Sequence, residues 1–132
     1  GVSANVSQRA LREVYLRAFR IAVTEGKPWT VMSSYNRVNG HYVCNSFDLC
    51  TRVLRQEWGF QGLVMSDWNA TEQCSYSEAI HAGNDLIMPG TASVSKALEK
   101  SLKAGELDRD ALNLSAGRVL ELIFKSETCQ SF

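Results

Sequence analysis

The chain has 132 residues, 45% hydrophobic and 21% charged, a balance that fits a folded domain rather than a disordered segment. Fourteen basic and fourteen acidic residues cancel to a formal net charge of zero without a basic block, so neither nucleic acid nor a membrane surface is an expected partner. No apolar run approaches the roughly 20 residues of a membrane span, and Gly1 to Val6 lack the features of a signal peptide.

Taken in chain order, Ser7 to Glu25 repeat apolar residues at helical spacing (Leu11, Val14, Tyr15, Ala18, Phe19, Ala22, Val23). Ser7 or Asn5 can cap this helix, and Gly26 with Pro28 ends it. Trp29 to Ser34 reads as a buried strand and Asn36 to Gly40 as a turn. A second helix is predicted from Ser46 to Trp58, burying Phe47, Leu49, Cys50, Val53 and Leu54 and stopped by Gly59. Leu63 to Ser66 is an apolar run suited to a strand buried on both faces. A third helix follows over Thr71 to Ala82, then a short strand from Asp85 to Pro89, then helices over Ser93 to Ala104 and Asp108 to Lys125. Strands alternating with helices at this spacing imply a parallel α/β fold. Only three strands stand out, and 132 residues fall short of the roughly 250 of a complete barrel. Open sheet edges and uncovered helix faces are therefore expected, with self-association through those edges as one consequence.

Asp67 and Trp68 directly follow the Leu63 strand. At the carboxyl end of a parallel strand an aspartate supplies charge or a nucleophile, and an indole supplies a flat platform for a sugar ring. The competing reading makes Asp67 a helix cap and Trp68 core filler. Cys44, Cys50, Cys74 and Cys129 show no zinc spacing with His41 or His81, so no metal or other cofactor is expected. A Cys44–Cys50 bridge is feasible across a short loop, but reduced thiols are the preferred reading, with Cys50 on a buried helix face. His41 is expected in a solvated loop and His81 near a helix end. Arg12 and Glu13 are read as an exterior pair, Glu57 as structural, and Asp85 as structural because it starts a strand.

Four motifs occur in one order: Val31-Met32-Ser33-Ser34-Tyr35-Asn36, Val38-Asn39-Gly40, Leu54-Arg55-Gln56-Glu57-Trp58-Gly59-Phe60-Gln61-Gly62, and Val64-Met65-Ser66-Asp67-Trp68. With Arg9 to Leu16 upstream and Ala82 to Gly90 downstream, this series closely resembles glycoside hydrolase family 3, the β-glucosidase and β-xylosidase family. The resemblance spans nearly the whole chain and implies one segment, residues 1–132, from the later part of that family's N-terminal domain. It implies an α/β fold, a partial TIM-type (β/α) barrel with about three parallel strands and flanking helices. It further implies a retaining β-glycosidase that hydrolyses terminal β-linked sugars through a covalent glycosyl-aspartate. Carried onto this chain, the nucleophile is Asp67, with Trp68, Tyr35 and Met32 at the substrate. Trp68, where the N-acetylglucosaminidase branch has a second Asp, favours the glucosidase-like branch.

A nucleophile must be ionised at working pH, as an ordinary aspartate is. A retaining mechanism also needs a second carboxyl roughly 5–5.5 Å away as acid and base. No segment here matches the family's acid/base, which comes from an α/β domain or loop outside the barrel, nor its lysine-histidine pair and sugar-binding aspartate and arginine. The isolated segment is therefore expected to be inactive. The rival reading is a non-catalytic carbohydrate-binding or interaction module on a half-barrel, keeping Trp68 and Tyr35 as a platform.

Overall fold

The computed structural model describes residues 2–126. Cys129, one of the four cysteines, lies outside them. The first helix forms in three pieces: α1 (Gln8–Ala10), a π-helical stretch (Leu11–Tyr15) and α2 (Arg17–Gly26). Ser7 caps its start by accepting from the Ala10 amide, while Asn5 does not act as the cap. Its end falls one residue later than the glycine rule predicts. Gly26 completes α2, and Lys27 takes the left-handed cap position at φ 47°.

Strand β2 (Thr30–Met32) pairs in parallel with β5 (Leu63–Met65), matching Met32 to Met65. The strand expected over Asp85 to Pro89 is reduced to a single parallel bridge, Met65 to Leu86. Its neighbours explain the shortness. The Asp85 and Leu86 amides both donate to the Val64 carbonyl, and the chain then turns at a cis Met88–Pro89 bond. A second small sheet, β1 (Ser3–Ala4), β3 (Arg37–Val38) and β4 (His41–Tyr42), forms where only a turn was expected. Asn39 and Gly40, both at positive φ, make the hairpin between β3 and β4, so His41 belongs to a strand and not to a loop.

After the 3₁₀ turn Val43–Asn45, a wide helix runs over Asp48–Glu57, and the Trp58 amide donates to the Val53 carbonyl five residues back. It buries Cys50, Val53 and Leu54 as the apolar pattern requires, but Phe47 lies outside it and is half exposed. Arg55 is buried instead. Helix α3 (Tyr76–Ala82) is preceded by a 3₁₀ turn (Ala70–Gln73), so the third helix is shorter than Thr71 to Ala82. Ser75 and Gly83 cap its two ends. Helices α4 (Ala92–Ala104) and α5 (Arg109–Lys125) follow their sequence pattern, with Thr91 and Asp108 as side-chain caps.

Two cores result. Val23, Leu54, Phe60 and Val64 close the space between α2, the wide helix and the parallel strands. Ile80, Ile87, Val94 and Leu107 join α3, α4 and α5. Leu63 and Val64 are each 1% exposed although they point to opposite sides of β5, which is the two-faced burial their run predicts. Gly62 is required by close approach, since a Cβ there would collide with the Trp29 carbonyl.

Candidate active-site rim

Because β2 and β5 run in parallel, the residues that follow them emerge at one end of the sheet. Ser33 and Tyr35 follow β2, and Ser66, Asp67 and Trp68 follow β5. The Ser33 amide donates to the Met65 carbonyl at 2.8 Å, which keeps the two exits side by side. Ser66 is 1% exposed and fixes the second exit: its amide donates to the Leu86 carbonyl and its Oγ accepts from the Met88 amide, each at 2.8 Å. Asn69, left-handed at φ 61°, donates its amide to the Met88 carbonyl. Asp67 and Trp68 thus sit on a short arch pinned on both sides.

On that arch the Asp67 carboxylate accepts the Trp68 amide at 2.7 Å through Oδ1. Trp68 is 56% exposed, so its indole faces outward and does not fill the core. Tyr35 reaches across from the β2 exit, and its hydroxyl donates to the Trp68 carbonyl. Partial desolvation, then the Asp67 charge and a hydrogen bond to it, raise the Tyr35 pKa above its ordinary value. Tyr35, Asp67 and Trp68 are therefore neighbours. Met32 stands apart. It lines an apolar groove of about 490 Å³ with residues such as Leu11, Phe19, Val23 and Val31, and that groove includes none of the other three.

Residues that sequence reasoning did not single out support the rim from behind. Asn84, fully buried, donates its amide nitrogen to Ser33 Oγ and to the Cys44 carbonyl, each at 3.1 Å. Arg37 donates to the Tyr42 hydroxyl at 2.7 Å and lies over its ring, and Tyr42 in turn donates to Gln73 at 2.8 Å. This chain ties the β3–β4 hairpin to the segment behind Asp67. Ser33 and Asn84 stand inside the recognised motifs, but their contact spans 51 residues and has no local signature.

Several other titratable groups are committed elsewhere. Arg12 pairs with Glu57, not with Glu13, and Glu13 pairs with Arg9 one helical turn away. The Arg12 guanidinium holds the Glu57 carboxyl below its ordinary range, the opposite of what a proton donor needs. His81 bonds Asp108 at 2.8 Å across the α3–α5 junction. Asp85 is a buried structural carboxylate that accepts from Arg55 at 2.6 Å, the Val64 amide at 2.9 Å and Arg118 at 2.7 Å. Cys44, Cys50 and Cys74 are free thiols, and Cys44 lies beside Cys74 rather than Cys50. Among the described residues, no helix is long and apolar enough to cross a membrane.

Residues 1–122 match the glycosyl hydrolase family 3 N terminal domain. Beta-glucosidase B of Emericella nidulans is 43% identical over 126 residues, which are 94% of this chain and 15% of that protein. The crystal structure of a family 3 beta-glucosidase from Bifidobacterium adolescentis superposes with a TM-score of 0.89 at 39% identity, covering 99% of this chain and 19% of that one. Beta-glucosidase 3B from Thermotoga neapolitana in complex with glucose gives 0.89 at 42% identity, covering 98% and 19%. The chain thus spans less than a fifth of the length of these relatives.

Proposed function

The chain belongs to glycosyl hydrolase family 3, and on that premise we propose that it is the part of a retaining β-glucosidase that carries the nucleophile. The observation that carries this reading is the meeting of Asp67, Trp68 and Tyr35 at the carboxyl ends of two adjacent parallel strands. Catalytic groups gather at that end of barrel strands. In this reading β2, β5 and the segment at Leu86 are consecutive staves of a TIM-type barrel. Residues 1–132 form the later part of that barrel domain. The rest of the barrel and an α/β sandwich domain in the parent protein complete the site.

The substrate is a terminal β-linked sugar stacked on the Trp68 indole. Asp67 attacks its anomeric carbon with the carboxylate oxygen that does not accept the Trp68 amide. The glycosidic C–O bond breaks as a proton reaches the leaving oxygen from an acid outside this segment. Water then attacks the glycosyl-aspartate, and the same outside group takes its proton. Tyr35 stays a neutral donor and holds the arch that presents Asp67. Met32 contributes, at most, the apolar edge of the pocket, because it faces the groove.

A 2-fluoro-glucoside substrate analogue, incubated with the full-length parent, tests the assignment. Mass mapping is expected to find the sugar esterified to Asp67. A label on another carboxylate overturns it, and sugar binding without any label, insensitive to Asp67→Asn, favours a carbohydrate-binding module.

A further inference from the structure

Behind the rim two thiols face each other, and the glycosidase reading uses neither. Cys44 is fully buried in the 3₁₀ turn Val43–Asn45, and Cys74 is half-buried directly after the turn Ala70–Gln73. Their Sγ atoms are 3.2 Å apart although the residues are 30 positions apart in sequence. The third described thiol is turned elsewhere. Cys50 donates to the Val43 carbonyl at 3.2 Å, and burial pushes its pKa up to about 12.

We propose that Cys44 and Cys74 form a reversible disulfide that fastens the segment following Asp67 and Trp68 to the Val43–Asn45 turn. The oxidant is a low-molecular-weight disulfide of the glutathione class. Cys74, the sulfur with a path to solvent, hands its proton to the neighbouring Cys44 thiolate as it attacks, releases one small thiol and is left in a mixed disulfide. Cys44, once it has given that proton up, attacks Cys74 Sγ as thiolate and releases the second small thiol. Two protein thiols and one small disulfide become one protein disulfide and two small thiols. Two electrons pass to the oxidant, and the two protons end on the released thiols. The hydrogen bond between them lowers the Cys44 pKa below its ordinary value and raises that of Cys74, so Cys44 is the member of the pair that ionises.

The geometry favours a tether with consequences. Cys44 Sγ also lies 3.6 Å from the Ala70 carbonyl, at the foot of the arch that bears Asp67. Closing the bond links that foot to the turn whose Cys44 carbonyl Asn84 already holds.

The test is differential alkylation and peptide mapping of the full-length protein, equilibrated over a series of reduced-to-oxidised glutathione ratios. The expected result is joint protection of Cys44 and Cys74, recovered as one linked peptide lighter by two hydrogens, while Cys50 stays alkylatable after unfolding. The melting temperature should rise on the order of 5 °C in the oxidised form. Cys74→Ser, a change at a half-exposed position, should abolish both effects even if Cys44→Ser does not fold. Free Cys44 and Cys74 across the whole series, a bridge from Cys74 to another cysteine, or a stable glutathione adduct alone would each overturn the proposal. Thiols rather than turnover are read, so the outcome is separate from that of the Asp67 labelling.

Discussion

Asp67 is presented by backbone, not by a cage of charges. Its arch is held by Ser66, Asn69 and the Tyr35 hydroxyl, and among the described residues only the Trp68 amide touches its carboxylate from the main chain. On the proposed reading, Asp67→Asn in the full-length protein should therefore leave the fold intact while lowering kcat by at least about 10³-fold. Circular dichroism and aryl β-glucoside turnover check the two halves of that expectation. Tyr35→Phe removes one hydrogen bond to the arch, so a loss of roughly tenfold in kcat with a modest change in KM is expected. Its pH dependence has a definite sign. The folded-state pKa of Tyr35 is raised, so the contribution of its neutral hydroxyl is complete below the ordinary tyrosine range and is lost as pH rises through the folded value. Tyr35→Phe should flatten that alkaline limb, measurable by thermal melts between neutral and strongly alkaline pH.

At the scale of elements, the junction between the wide helix, β5 and α5 is built on one buried ion cluster. The Asp85 side chain is 0% exposed between Arg55 and Arg118. Arg55 further donates to the Gly62 and Gly83 carbonyls, so it closes the ends of two connections. Removing the shared carboxylate leaves two guanidinium groups facing each other without compensation. Asp85→Ala should cost about 3–5 kcal/mol in urea unfolding, well beyond an exposed pair such as Arg9–Glu13. A second element-level case is the start of α5. The Ala111 amide, then His81, hold the Asp108 carboxyl below its ordinary 3.8. Its contribution is present above that value and is lost as pH falls through the lower folded pKa, so Asp108→Asn should weaken the acid limb of the stability profile. What was legible in the sequence follows the same physics. Helices α4 and α5 combine apolar periodicity with side-chain caps, both local signals. The place of Asp67 at a strand exit was legible because an apolar run ends two residues before it. The β3–β4 hairpin was hidden because two-residue strands carry no period. The roles of Asp85 and Asn84 were hidden because their partners are distant in the chain.

At the scale of the whole molecule, the distribution of apolar surface is lopsided. Val14, Tyr15 and Phe19 on the first helix are 66%, 63% and 59% exposed, although their spacing marks a face meant for burial. That face borders the apolar groove of about 490 Å³ which also receives Met32. On α5, Leu114, Leu120 and Phe124 are exposed as well. So many exposed large apolar side chains at helical spacing are uncommon on a chain that functions alone, and β2 and the bridge at Leu86 are the outer members of their sheet. The chain fits less than a fifth of each relative, and in the proposed reading these faces are where the rest of a barrel would lie. The 132-residue chain expressed by itself should then bind a hydrophobic dye strongly, associate in light scattering, and hydrolyse no aryl β-glucoside. A monodisperse, dye-silent monomer with turnover abolished by Asp67→Asn would show instead that the segment closes its own core and supplies its own acid. Adding in trans the segment that the proposed reading assigns to the rest of the barrel gives the sharper form of the test. Dye binding should fall and Tyr15 and Phe19 should become protected, since covering that face and completing the rim are one event.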